Sequence, residues 1–129
     1  HGKNYSQKTE VFCGEHGNSE PEIAALTHFI KNENIKILFM LHNAGQDVQG
    51  NKNALSQKIA HLYAEKAGFR FVNEEEWKTL GQTGTSKEWC ELHNIAQIEV
   101  EGSTRWGCDW NRQKRAIETV LTALNSGLH

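Results

Sequence analysis

Blocks of apolar residues alternate along the chain between strand-like runs and helix-like spacing. Residues Ile35 to Leu41 are continuously apolar, which predicts a strand covered on both faces, as in a largely parallel sheet. The segment 96–100, AQIEV, predicts a second compact strand, and FRFV at 69–72 predicts a minor or edge strand. The stretch that follows Leu41 is polar and contains glycine, so we expect a loop there.

Helical spacing of apolar residues predicts a first helix in NSEPEIAALTHFI. Ser19 is the expected N-cap and Glu22 completes an S-x-x-E capping box, while Pro21 is tolerated in the first turn. The apolar positions predicted to share one face of this helix are Ile23, Leu26, Phe29 and Ile30.

Three further helices are predicted downstream. Residues 51–67 carry the helical pattern and end at Gly68, a typical left-handed C-cap. After the loop-like stretch NEEEWKTLGQTGTS, Thr85 or Ser86 can cap a short helix, SKEWCELHN. A final helix from 110 to 124 places Ile117, Val120, Leu121 and Leu124 on one face.

Composition predicts one ordinary soluble domain. The 129 residues are 37% hydrophobic and 23% charged, with a net charge of -2, so no electrostatic bias toward nucleic acid is present. The apolar runs are shorter than the roughly 20 residues that cross a bilayer, so we expect no membrane association. The sequence does not identify the compartment, and the cytoplasm is our first expectation.

Cysteine usage argues against a disulfide framework. The sequence has an odd number of widely spaced cysteines, Cys13, Cys90 and Cys108. This spacing also does not indicate a CxxC-type zinc site. We expect buried or half-buried thiols. Reactive cysteine chemistry needs an activating group, and His93 is the only near neighbour in sequence, three positions after Cys90.

Two polar residues lie where the predicted strands can position chemistry. His42 directly follows the apolar run, at the rim of the predicted sheet, although a structural histidine is the commoner occupant of such a place. Glu99 lies between Ile98 and Val100. It shares a strand face with Glu101, so a solvated acidic face is the alternative interpretation.

Four segments in order carry a family resemblance: SEPE before the first helix, LHNAGQ after the first strand, TGTSKEW, and IEVEGSTRWG. Together they resemble the C-terminal half of the pancreatic-type zinc carboxypeptidases, whose stretches are SExE, a strand ending in HSYxQ, SGxSxDW and xELRDxGRYG. The last is the most specific, because Glu99, Arg105, Trp106 and Gly107 keep the family's spacing. The resemblance covers residues from about 12 to 125.

The resemblance implies an α/β fold with a mixed, largely parallel sheet flanked by helices, of the phosphorylase/hydrolase-like type. Residues 1–129 then form a single domain that is the C-terminal portion of a catalytic domain, incomplete in this chain. His42 matches the family's third zinc ligand, and Glu99 matches its general base. Lys87 falls at the pocket for the substrate's terminal side chain and would favour an acidic residue there, whereas the alternative is an exposed helix lysine. Thr83 and Asn43 occupy substrate-contact positions.

Some family features are absent from this sequence. Leu80 stands in place of the tyrosine that closes over the substrate, and Asn43 and Ala44 replace Ser and Tyr. The upstream HxxE motif, which supplies the other zinc ligands, and the carboxylate-binding Asn-Arg pair have no counterpart. Either Arg105 or Arg112 could replace that pair in binding the substrate carboxylate, and the spacing favours neither.

These observations predict zinc-dependent hydrolysis of a peptide or amide bond, by a metallocarboxypeptidase or related amidohydrolase using one zinc ion. The substrate would be a peptide or an amidated amino acid. Because most ligands are missing, we expect this chain to be inactive alone and to associate with the N-terminal half of the domain or with itself. The alternative is a non-catalytic fragment or pseudoenzyme that acts as a metal-free interaction module.

Overall fold

The structure, a computed structural model, describes residues 15–78, 84–107 and 109–129. The elements in chain order are α1 (Pro21–Asn32), β1 (Ile37–Asn43), β2 (Asp47–Gly50), α2 (Ala54–Ala67), β3 (Arg70–Val72), α3 (Glu74–Lys78), α4 (Ser86–Leu92), β4 (Ala96–Gly102) and α5 (Trp110–Asn125). The four strands form one sheet in the order β1-β4-β2-β3. Pairs β1/β4 and β2/β3 are parallel, and β2/β4 is antiparallel. The predicted mixed, largely parallel α/β sheet is confirmed.

The main hydrophobic core lies between one face of the sheet and the helices α2 and α5. Ile98 and Val100 of β4 are buried there, together with Ile59 and Tyr63 of α2 and Val120 of α5. Each such side chain contributes about 1.5–3 kcal/mol when it is fully removed from water. This face therefore contributes most of the buried apolar surface, while the opposite face of the sheet carries the polar positions of β4 and β2 beside a smaller core at Leu38.

Helix α2 is fixed at both ends by its own sequence. The Asn53 side chain accepts hydrogen bonds from Leu55 N at 2.9 Å and Ser56 N at 3.4 Å, which gives two first-turn amides a partner. Gly68 ends the helix at a φ of 65°, a left-handed conformation that glycine adopts without a Cβ clash. The predicted C-cap is confirmed, while the helix begins at Ala54 rather than at residue 51.

The predicted capping box of α1 is wrong. Glu20 is the N-cap and makes no side-chain capping hydrogen bond, because the helix begins at Pro21 and Ser19 lies one residue too early. The Ser19 hydroxyl instead donates to Glu20 Oε1 at 3.2 Å.

The apolar face of α1 is only partly buried. Ile30 packs with Cys90 and Ile95 in a second, smaller core. Its predicted partners on the helix face are 44–55% exposed, at Ile23, Leu26 and Phe29. The helix predicted from the amphipathic spacing is confirmed. Among the described residues, however, no other element covers most of its apolar face.

Two elements were not predicted. The polar loop expected after β1 contains β2, whose only aliphatic member is Val48, and the loop expected after residue 72 contains α3. Strand β2 is held by ladders to β4 and β3 on both sides, which do not depend on an apolar pattern. In α3, Asn73 Oδ1 accepts from Glu76 N at 2.9 Å and caps a five-residue acidic turn.

Among the described helices, none is long and apolar enough to cross a membrane.

Candidate active site

The polar groups of interest lie near one edge of the sheet, where β1 and β4 end side by side. His42 on β1 is the register partner of Glu101 on β4, and Glu101 is in turn opposite Asp47 on β2. Glu99 is opposite Gln49 in the neighbouring row. Three strands thus bring an imidazole, three carboxyl groups and an amide onto one surface.

Strand alternation places these groups on the face away from the main core. Because Ile98 and Val100 pack against α2 and α5, Glu99 and Glu101 must point to the opposite side. Neither glutamate is fully solvated, since both are half-buried. The expectation of a solvated acidic face is therefore wrong for this strand.

Glu99 has the environment of a proton acceptor. Burial raises the pKa of its carboxyl above the ordinary value, while the charges of His42 and Lys87 act in the opposite direction. Gln49 Nε2 donates a hydrogen bond of 3.4 Å to Glu99 Oε1. A carboxyl whose pKa is moved toward neutrality is suited to both accepting and returning a proton.

The two other carboxyl groups share this electrostatic setting. Burial is the main cause of a raised pKa at Glu101, where His42 opposes it, and at Asp47, where Arg70 opposes it. Arg70 Nη2 lies 3.4 Å from Asp47 Oδ2. Asp47 is therefore ion-paired with Arg70 of β3, on the side of β2 that faces away from β4.

His42 is exposed at the end of β1, as the strand pattern predicted. Neutral imidazole at such a place is a good zinc ligand, but a catalytic site needs about three protein ligands. Within residues 15–78, 84–107 and 109–129, no three His, Cys, Asp or Glu side chains are arranged to hold a metal ion. His42 therefore fits as one ligand, and its neighbouring carboxylates do not complete the set.

Lys87 is buried, which makes the alternative of an exposed helix lysine wrong. Its side chain is on α4, whose N-terminus has the capping box formed by Thr85 and Glu88, confirming Thr85 as the cap. Lys87 is 4% exposed, and burial lowers the pKa of its ammonium while the charge of Glu99 opposes that shift. The ring of Trp77 lies 4.4 Å from Lys87 Nζ.

The remaining predicted site residues have different outcomes. Asn43 is exposed at the end of β1, with its side-chain oxygen directly over Gly102 of β4. Thr83 and Leu80 lie outside the described residues. The substrate contacts expected of Thr83 and Asn43 stay predictions.

Arg112 is occupied by a structural role. Its Nε and Nη2 donate at 2.7 Å to the carbonyls of Ala67 and Gly68, and its guanidinium stacks 4.5 Å from the Phe69 ring. Of the two arginines considered as a carboxylate clamp, Arg112 is thus committed to the C-terminus of α2. Arg105 is exposed in the segment after β4.

Cys90 lacks the environment of a nucleophile. It is fully buried, and desolvation raises the pKa of its thiol to about 11. His93 hydrogen-bonds through Nδ1 to the Trp89 carbonyl at 2.8 Å and stacks on the Trp89 ring at 4.3 Å. Cys90 is thus a structural thiol, as expected from the sequence.

Sequence reasoning missed Asp47, Gln49 and Trp77. The first two are on the unpredicted β2, where the alternation D-V-Q was the available signal but covered too few residues. Trp77 belongs to the unpredicted α3, and a lone tryptophan in an acidic segment gives no indication of its partner.

Comparison with solved structures identifies the architecture. The crystal structure of murein-tripeptide amidase MpaA from Escherichia coli O157 matches 86% of this chain with a TM-score of 0.60 and 17% sequence identity. The fold is zinc-carboxypeptidase-like. This chain spans 43% of the length of that neighbour. No family model matches the sequence, and no curated protein does.

Proposed function

We propose that this chain is the C-terminal part of a zinc-dependent hydrolase domain that cleaves a peptide bond or a related amide bond. The observation that carries the proposal is the placement of His42 and Glu99 on the same face of two adjoining parallel strands, where Glu99 lies two residues before Glu101, the register partner of His42. The fold shared with an amidase supports the same reaction class. The substrate is a peptide or an amidated amino acid.

The residues divide the chemistry between them. A zinc ion held by His42 and further ligands would supply Lewis acidity at the scissile carbonyl. Glu99 accepts a proton from the attacking water and then donates a proton to the leaving amine nitrogen. Its raised pKa makes the carboxyl a better proton acceptor than an exposed glutamate, and the hydrogen bond from Gln49 Nε2 helps to hold Oε1 in place.

Lys87 gives the proposed site a preference for an acidic terminal residue. Its side chain is buried, and the charge of Glu99 acts on its ammonium. A substrate carboxylate would gain from a cation that is shielded from water. Asn43 and Thr83 are the proposed neighbouring contacts.

The ligands missing from the described residues are proposed to come from the N-terminal half of the same domain. Among the described strands, β1 is at the edge of the sheet, and Leu41 within it is 56% exposed. Unpaired strand edges bind further strands readily. The large part of the structural neighbour that this chain does not match is consistent with such an addition. By itself, the chain is expected to be inactive.

The experiment compares three variants of a longer polypeptide that contains this chain. We expect about one zinc per wild-type molecule. His42→Ala should lower zinc affinity at least about tenfold, whereas Glu99→Gln should retain zinc and lower kcat by about 10²- to 10⁴-fold. His61→Ala is the matched control, because His61 is exposed on α2, across the sheet from Glu99.

A parent polypeptide that binds no zinc, or in which Glu99→Gln leaves hydrolysis unchanged, would contradict the proposal. A stably folded, metal-free parent would instead favour the non-catalytic interaction module. Substrate preference is tested separately with peptides that end in Glu, Phe or Lys. Equal kcat/KM for the three would exclude the proposed role of Lys87 and leave that of Glu99 intact.

A further inference from the structure

The two carboxylate oxygens of Glu99 have different surroundings. Oε1 accepts the hydrogen bond of 3.4 Å from Gln49 Nε2, whereas no group among the described residues donates to Oε2. Oε2 is not one of the fully buried side-chain atoms that lack a partner, so it retains contact with solvent. Glu99 therefore has one oxygen bound to β2 and one oxygen that a water molecule can reach.

Gln49 is held in place by the sheet. It lies on β2 opposite Glu99 in the antiparallel ladder to β4, and Val72 of β3 is its register partner on the other side. Val48 packs into the main core, so strand alternation directs the Gln49 side chain to the face that carries Glu99. Because Gln49 is 4% exposed, the surrounding atoms leave its amide little freedom to move.

The Gln49 amide is stabilised at one end only. Its Oε1 is buried and has no hydrogen-bond partner among the described residues, whereas its Nε2 donates to Glu99. A buried carbonyl oxygen without a donor destabilises the folded state, and an apolar side chain of similar shape would avoid that cost. The opposite amide orientation would bring Oε1 against the Glu99 carboxylate, so the charge of Glu99 selects the observed one. Stability alone therefore does not account for a glutamine at this position.

We propose that Gln49 is a positioning residue for Glu99, which holds Oε1 so that Oε2 faces the reactants and exchanges the proton. The hydrogen bond restricts rotation of the carboxyl group about its last bond, and it is stronger when the carboxyl is ionised and ready to accept a proton. Gln49 itself does not contact the substrate. The inference rests on the proposed function, since a reaction at Glu99 is what gives this orientation a purpose.

The first test follows the titration of both side chains by NMR in this chain without zinc. The Gln49 side-chain amide resonances, assigned by their loss in Gln49→Met, should shift with pH at the same midpoint as the Glu99 carboxyl carbon. This shift is expected because a donor responds to the charge of its acceptor, and Glu99→Gln should abolish it. Other charged groups act on Glu99 or its neighbour from the adjoining elements, and their own midpoints distinguish their effects: His42, Glu101, Asp47 and Lys87.

Two matched variants separate positioning from packing. Gln49→Met keeps the length of the side chain and removes the amide, so it should raise the pKa of Glu99, because the ionised form loses a donor. Gln97→Met is the control, since Gln97 is also buried with an unpartnered Oε1, and its Nε2 donates to Ser86 Oγ at 3.0 Å rather than to Glu99. It should leave the titration of Glu99 unchanged. Thermal unfolding should show that Gln49→Met is at least as stable as wild type.

In the longer polypeptide, Gln49→Met should lower kcat about three- to tenfold, the loss expected for one hydrogen bond, and leave KM unchanged. A change confined to KM would overturn the inference, because it would indicate a substrate contact instead of positioning.

Gln49 amide resonances that do not follow the titration of Glu99, or an unchanged Glu99 pKa in Gln49→Met, would also overturn the inference. The titration of the wild-type amide decides the question even if Gln49→Met does not fold. Because the NMR measurements need neither zinc nor turnover, their failure is distinct from failure of the hydrolase proposal. That proposal depends on the behaviour of Glu99→Gln in the longer polypeptide.

Discussion

Gly102 should tolerate a side chain poorly, because the Asn43 side chain of β1 lies where a Cβ would be. It is the last residue of β4 and the register partner of Asn43, next to His42. A Cβ at Gly102 would overlap the side-chain oxygen of Asn43 and lie 3.3 Å from Asp109 Oδ2. The exposed Asn43 side chain can rotate away from a new methyl group, whereas the Asp109 carboxylate is held by hydrogen bonds from Ser103 N and Oγ.

The expected cost of Gly102→Ala follows from this overlap. Forcing a methyl group into a closely packed position costs about 1–3 kcal/mol, and because the exposed Asn43 side chain can rotate we expect the lower end of that range. For a chain of this length, each kcal/mol lowers Tm by about 3–5 °C. Urea unfolding followed by far-UV circular dichroism measures the change, and the slope of free energy against urea should be unaltered.

Two further variants decide whether the cause is contact with Asn43. Gly17→Ala is the matched control, since a Cβ there has no neighbour within 4 Å, and it should change stability by less than about 0.5 kcal/mol. Asn43→Ala removes the overlapping group, so Asn43→Ala combined with Gly102→Ala should regain at least half of the lost stability. A Gly102→Ala cost below about 0.5 kcal/mol, or no recovery in the double variant, would refute the reasoning.

Three other predictions concern single interactions. Hydrogen bonds from Ser103 hold the pKa of Asp109 below its ordinary value of 3.8. Wild type should therefore be more stable than Asp109→Asn at pH values well above 3.8, and this difference should decline as the pH falls below 3.8. A difference in urea unfolding that does not change with pH would argue against this. Asn53→Ala should cost about 1 kcal/mol through loss of the α2 cap, and an unchanged urea midpoint would contradict the capping role. The test for Cys90 uses a variant in which Cys13 and Cys108 are replaced by serine. In it, the Cys90 thiol should react with a thiol reagent at pH 8 only after the protein is unfolded. Rapid labelling of Cys90 in the native protein would be inconsistent with its burial.

The sequence identified most of the elements because their physical signals are local. The continuous apolar run predicted β1, and the helical spacing with Gly68 predicted α2. Strand β2 could not be predicted in this way, because four residues with one valine carry too little pattern. Its stability comes from pairing with two strands that are distant in sequence.

The candidate site shows a similar division. Strand ends indicated His42 and Glu99, since a residue's place on a strand follows from its immediate neighbours. The burial of Lys87 and its contact with Trp77 depend on how α3 and α4 lie over the sheet, which local spacing does not encode. Three residues of the predicted apolar face of α1, Ile23, Leu26 and Phe29, are exposed for a related reason: spacing defines a helix face but does not supply a layer to cover it.

The alternation along β4 has a consequence for how this protein can evolve. Ile98 and Val100 contribute to the core, while Glu99 between them faces the polar surface. Because neighbouring positions serve opposite faces, a substitution at Glu99 can alter the polar surface with little effect on the packing of the core. Changes in surface chemistry can therefore accumulate on one face of the strand while selection for stability acts on the other.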